Sequence, residues 1–210
     1  MSASPSTGLD DKRLTVLKAA TAVFLEHGFS AATTDMIQRA AGISKATVYA
    51  CFPSKEALFA AVIERECAAM AATIREIGAA PGGIAETLTD IGMSYLEKVV
   101  LSPTGQGLHR IVTSAAPRFP ELGRTFYRTG PKAAVSAVAA RLSEAERAGQ
   151  IDVRAVGVDA AATLFISMVR GQGQLEALTH PARRASAARM AHWVHLAVTT
   201  FLSAFGTRPG

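Results

Sequence analysis

Between Thr33 and Lys55 the chain reads TTDMIQRAAGISKATVYACFPSK, and few backbones suit that order of residues. A hydroxyl at Thr33 or Thr34 can cap a helix, and Asp35 puts negative charge beside its positive end. Ile37, Ala40 and Ala41 then fall on one face at three- and four-residue steps. Gly42 suits the left-handed conformation that ends a helix, and Ile43 supplies the apolar contact that accompanies it. Ser44 can cap a second helix whose Val48 and Phe52 point to the core, leaving Lys45, Ala46, Thr47 and Tyr49 to face outward. Pro53 stops it. The spacing predicts a helix-turn-helix whose second helix opens with a cation, a small side chain, a hydroxyl and a phenol, groups suited to base edges and phosphates in a major groove.

Two short helices around a glycine also make ordinary helical hairpins, so the turn alone leaves a purely structural role open. A longer span separates the readings. From Val16 to Ile63 an apolar helix with Val16, Leu17, Ala20 and Phe24 ends in Gly28 and Phe29; Thr33 and Thr34, Ala41 and Gly42, Tyr49, and Phe52 with Ser54, Lys55 and Glu56 follow in one register. This segment resembles the N-terminal domain of TetR-type transcriptional regulators. It departs from that pattern at Gln38, Ala46 and Cys51. The resemblance implies a recognition helix from Ser44 to Phe52 and contacts to double-stranded DNA from Thr33, Thr34, Ser44, Lys45, Ala46, Thr47, Tyr49 and Lys55. Lys45 and Thr47 are expected to read bases with Ala46 letting the backbone close in, and Tyr49, Lys55 and Thr34 to hold phosphates.

Charge is a weaker guide. The net charge of +5 fits a polyanionic partner, yet residues 1–56 carry six Lys or Arg against five Asp or Glu. The placement of Arg39, Lys45 and Lys55 therefore matters more than the total. With 49% apolar and 19% charged residues over 210 positions, the chain can bury a sizeable core. Cys51 and Cys67 have neither zinc-site nor disulfide spacing, which fits a reduced cytoplasm. No uncharged apolar run approaches the roughly eighteen residues of a membrane span. The N-terminus lacks the apolar core of a signal peptide, and residues 1–9 are expected to be a disordered tail.

The expected architecture is all-α: a helix-turn-helix domain over 10–53, its first helix running from Asp10 to His27, and a helical domain over 54–210. A long helix from Ser54 to Ile77 joins them, and Ala79 to Gly83, AAPGG, is the expected break after it. Helices are then expected over Ile84–Leu101, Gln106–Ala115, Glu121–Thr129 and on to Gly149, with no strand. The stretch RIVTSAAPRFPELGRTFYRTGP, Arg110 to Pro131, resembles the C-terminal domain of the AefR-like branch of the same family.

Two final helices are expected over Val156–Leu178 and Pro181–Phe205. In the last, Met190, Val194, Ala197, Phe201 and Phe205 recur at steps of four, three, four and four, a stripe wide enough to serve either a core or a partner. With Phe165 they form the expected homodimer interface, since TetR-type proteins usually dimerise through their last two helices. Large side chains remain at Ile91, Tyr95, Val112, Phe126, Phe165 and Met168, with His109 and Gln172 as polar companions. They make either a solid core or, as the resemblance implies, a mainly apolar cavity for a small apolar or aromatic effector. Gly171 and Gly173 in RGQGQLE either leave polar neighbours to orient that ligand or allow close helix packing.

No catalytic set is evident: there is no nucleophile elbow, phosphate-cradling glycine loop or Glu-x-x-His pair. His192 and His195 stand three apart but lack a nearby carboxylate or Cys to complete a metal site, and no cofactor is implied. The expected function is a homodimeric, ligand-released repressor acting on a pseudo-palindromic operator. The competing reading is a helical ligand-binding or enzymatic bundle whose N-terminal helices are only structural.

Overall fold

The computed structural model describes residues 5–77, 83–180 and 185–207, with side-chain surroundings described from residue 8 onward. Among them the helices run in the order α1 Pro5–Ala31, α2 Thr34–Ala41, α3 Lys45–Cys51, α4 Lys55–Arg75, α5 Ile84–Tyr95, α6 Pro103–Ala115, α7 Pro120–Thr129, α8 Pro131–Arg147, α9 Val158–Thr179 and α10 Ala187–Phe205. The only strand-like pairing among the described residues is one antiparallel bridge between Ile151 and Gly206. The chain is all-α, as its periodicities predict.

The N-terminal boundary differs from expectation. Helix α1 already begins at Pro5, inside the segment expected to be a tail, while residues 1–4 lie outside the described residues. Most of the AAPGG break, along with Pro181 at the expected start of the last helix, also falls outside them. Helix α5 continues after Tyr95 into one π-helical turn, Leu96–Val100, closed by Leu101 N donating to Leu96 O at 2.8 Å.

Two compact units divide the chain, and the division does not follow a single cut after Pro53. The first comprises residues 1–67 and 107–129. Its core holds Val16, Ala20, Phe24 and Phe29 of α1, Ile37, Val48 and Phe52 of the short helices, and Leu58, Phe59, Val62 and Ile63 of α4. Leu108, Ile111, Val112 and Leu122 from α6 and α7 are buried in that same core. They belong to the first unit because their apolar faces are spent there. Four aromatic rings form its centre: Phe59 lies 4.7 Å from Phe24 and 5.2 Å from Phe29, and Phe119 meets Phe29 edge-on at 5.0 Å.

The second unit comprises residues 68–106 and 130–210. Helices α5, α8, α9 and α10 close its core around Leu88, Ile91, Leu96, Val138, Leu142, Phe165, Val169, Val194 and Phe201. Phe165 and Phe201 meet edge-on at 5.6 Å. The end of α10 is held to the turn after α8 by Asp152 N to Phe205 O at 2.8 Å and Thr207 N to Gln150 O at 3.1 Å.

Candidate nucleic-acid interface

Each end of the helix-turn-helix is made by the residue type its backbone demands. Of the two threonines able to cap α2, Thr33 does so: its Oγ1 accepts from Met36 N at 3.2 Å. Gly42 takes φ +67° and ψ 31°; its N–H donates to Arg39 O, and Ile43 N donates to Gln38 O. That pair of bonds satisfies two terminal carbonyls of α2 in the glycine-terminated pattern. Ser44 caps α3, accepting from Thr47 N at 3.1 Å while its hydroxyl meets the Thr47 hydroxyl at 2.9 Å.

The turn and the core then decide what α3 shows. Val48, Cys51 and Phe52 are buried, whereas Lys45, Ala46 and Tyr49 are exposed and Thr47 is half-buried. A second contact braces the surface, with Thr34 Oγ1 and the Tyr49 hydroxyl 3.3 Å apart across the two helices. Lys45 Nζ lies 2.8 Å from Asp35 Oδ1. That hydrogen bond and the charge pairing hold the Asp35 carboxyl below the usual carboxylate range and raise the Lys45 ammonium above its own.

Lys55 sits differently from the phosphate ligand expected. Its Nζ donates to the carbonyl oxygens of Phe29 at 2.9 Å, Ala32 at 3.1 Å and Ser30 at 3.4 Å, and lies 4.7 Å from the centre of the Phe29 ring. All three ammonium donors are engaged. Backbone groups there need a partner because α1 is interrupted at Gly28, φ +74° and ψ 171°, and ends three residues later. Arg13 does the same for α3: Nη1 donates to Cys51 O at 2.9 Å and the guanidinium covers the Phe52 ring at 4.3 Å. Arg13 carries no local signal of this role, because its partner lies 38 positions away.

The expected effector residues divide between the two cores and the outer face of α9. Ile91, Tyr95 and Phe165 are buried in the second core, Tyr95 with its phenol pushed up by burial against the opposing charge of Arg170. Val112 is buried in the first core with Phe126 against it, and the His109 ring stands edge-on to Phe126 at 6.3 Å. Met168 and Gln172 face outward on α9, Gln172 Nε2 donating to Glu176 Oε1 at 3.1 Å. Within the second unit, however, a cleft of about 340 Å³ opens between the end of α5, α9 and α10. Leu101, Met190 and Trp193 give it apolar walls, and Glu97, Gln106 and Glu176 give it polar ones. Arg189 pairs with Glu176 and covers the Trp193 ring at 5.2 Å. Gly173 explains the close packing there, since a Cβ would sit 3.2 Å from Trp193 Cζ3 and 3.3 Å from Leu96 Cδ2.

The dimer stripe also needs correction. Phe165, Val194, Ala197 and Phe201 are buried within the single chain, and Met190 and Phe205 pack against the same core. A side chain already enclosed by its own fold cannot be covered by a partner. Among the described residues of α9 and α10, the exposed large apolar side chains are Leu164, Met168, Leu175 and Leu178 on one face of α9, and Leu196 on α10. Gly171 lies on that α9 face with open space beside it.

Residues 16–62 match the family model of the N-terminal domain of bacterial regulatory proteins of the tetR family. Residues 86–207, more than half the chain, match the C-terminal domain of AefR-like transcriptional repressors. The chain belongs to the TetR family of regulators. Among solved structures, the flavonoid-responsive regulator FrrA is 34% identical over 95% of this chain and all of its own length, with a TM-score of 0.80. A TetR-family regulator from Mesorhizobium loti has the same fold at TM-score 0.88 and 24% identity, covering 95% of this chain and 98% of its own. The transcriptional repressor AcnR of Corynebacterium efficiens is 35% identical over 68 residues, 32% of this chain and 36% of that protein. Its counterpart from Corynebacterium diphtheriae is 30% identical over 41% of this chain and 43% of its own length, so the chain spans well under half of these curated relatives. Among the described residues no group of three or more His, Cys, Asp or Glu is placed to hold a metal ion, and no helix is long and apolar enough to cross a membrane.

Proposed function

We propose that this TetR-family chain is a cytoplasmic, homodimeric repressor that binds a pseudo-palindromic operator and is released by a small aromatic effector. The observation that carries the reading is the outward face of α3, where Lys45, Ala46 and Tyr49 are exposed on a helix anchored from behind by Val48, Cys51 and Phe52. Lys45 donates to guanine, Thr47 and Ala46 admit close approach of the helix, and Tyr49, braced by Thr34, contacts phosphate. Thr33 and Ser44 serve through the backbone by fixing the helix starts. Lys55 acts from behind the surface.

One reading head covers too few base pairs for tight selection, so two copies bind half-sites about 34–36 Å apart or a multiple of that. Leu164, Met168, Leu175 and Leu178 lie within one narrow sector of α9, and with Leu196 they are the surface offered to the second copy. The effector occupies the cleft lined by Trp193, Met190 and Leu101. Its volume falls at the lower end of the range for small-molecule sites, about 300–1,000 Å³. Its aromatic wall and its two carboxylates suit a hydroxylated aromatic of the flavonoid class that names FrrA. Such a ligand lowers operator affinity only as far as it prefers the non-binding conformation.

Selection from a randomised duplex pool, followed by affinity measurements over a salt series, tests the reading. A selected palindrome bound with a steep salt dependence supports it. Absence of any enriched sequence refutes it.

A further inference from the structure

An acidic group stands beside the reading cation on the outward side of the helix-turn-helix. Asp35 lies in the first turn of α2 and Lys45 opens α3, so their 2.8 Å pair spans the turn on the outward side, with each side chain about half exposed. Arg39 flanks them, its Nε donating to the Asp35 carbonyl at 3.2 Å. A carboxylate at a surface that must approach phosphates works against affinity, since like charges repel at close range. If helix-end stabilisation were its whole purpose, the pairing with Lys45 would be incidental.

We propose that Asp35 is a specificity-determining positioning residue that acts by holding Lys45, an inference resting on α3 being the DNA-reading helix. An ammonium has three donors. With one engaged by Asp35, two remain, matching the O6 and N7 acceptors that guanine presents in the major groove. A lysine free on its flexible stem can instead meet any phosphate within reach, which adds affinity without sequence information. The tether therefore withdraws Lys45 from indiscriminate phosphate contact and presents it to one base. The carboxylate's own charge further disfavours loosely docked DNA.

The test uses the full chain as wild type, Asp35→Asn, Lys45→Ala and the double variant. Each is titrated with the duplex that the wild type selects from a random pool and with a scrambled duplex of equal composition. Asp35→Asn is expected to tighten scrambled-duplex binding by about tenfold and selected-duplex binding by about threefold or less, steepening the scrambled-duplex salt slope by about one. The specificity ratio then falls. In the Lys45→Ala background Asp35→Asn should leave that ratio unchanged, and Asp35→Glu, which keeps the charge, should restore most of it. An unchanged ratio in Asp35→Asn, or an equal fall of the ratio with Lys45 already absent, overturns the proposal. A wild type that selects no sequence at all refutes instead the DNA-reading function beneath it. Circular dichroism melts confirm that each variant is folded, and a helix-end role alone would shift those melts without moving the ratio.

Discussion

Lys55→Met separates two roles a basic residue can have in a DNA-binding domain. The substitution keeps an unbranched apolar stem while deleting an ammonium that donates to Phe29 O at 2.9 Å and Ala32 O at 3.1 Å, with a longer contact to Ser30 O at 3.4 Å. Hydrogen bonds to a charged group contribute about 1.5–3 kcal/mol each, but water reaches part of this site and replaces part of the loss. Counting two good bonds at the lower end, less that replacement, and adding about 0.5 kcal/mol for the cation over Phe29, the net loss is about 2–3 kcal/mol. In a chain of this size each kcal/mol moves Tm by roughly 2–4 °C, so the melt should fall by about 4–12 °C. Were Lys55 a phosphate ligand, the salt slope of DNA binding would drop by about 0.9 with little change in stability. Thermal denaturation and a salt titration on the same variant decide. An unchanged Tm with a shallower slope would refute the capping argument, because three engaged donors cannot be deleted without cost and cannot also hold a phosphate.

Leu175→Glu should yield a folded monomer with weakened operator binding in sedimentation and gel-shift assays, whereas Val194→Glu, which buries an unpaired charge in the chain's own core, should fail to fold. Gly105→Ala should destabilise by about 3 kcal/mol or more in denaturant titration, since its Cβ would lie 1.7 Å from the Val99 carbonyl oxygen and the backbone would have to move. Cys67, with its thiol pushed up to about 11 by burial, should resist alkylation at pH 8 until the chain is unfolded. Asp152 is held at about 2 by its bonds from Arg154, so its contribution is complete above the unfolded value near 4 and is lost as pH falls toward 2; Asp152→Asn should flatten that part of the acid-stability curve.

What could be read directly from the residue order was whatever local chemistry decides. Thr33, Gly42 and Ser44 act on backbone groups within five positions of themselves, so the caps and the turn follow from the sequence alone. Lys55 and Arg13 act on carbonyls 26 and 38 positions away at the closest approach, and no periodicity reports such a pairing. Lys55 therefore reads as a surface cation in sequence and serves as a cap in space. The boundary of the reading unit was hidden for the same reason. Helices α6 and α7 spend their apolar faces on the first core, yet they follow it in the chain by some forty residues.

The two final helices show how far a hydrophobic stripe can be taken. Steps of three and four identify a face that water does not favour, but they carry no information on whether the cover comes from the same chain or another. In α10 the strongest stripe, through Val194, Ala197 and Phe201, is covered internally by Phe165 and its neighbours. Its burial is what leaves the weaker one outside. Leu164, Met168, Leu175 and Leu178 recur on α9 at steps of four, seven and three, broken by Gly171 and Gln172, and they stand exposed only because α9 turns its other face, Phe165, Ile166 and Val169, inward. A helix apolar on both sides has one face for its fold and one to spare. On that ground an interfacial charge should be tolerated by the fold at Leu175 and rejected at Val194, although the sequence presents both as apolar helix positions.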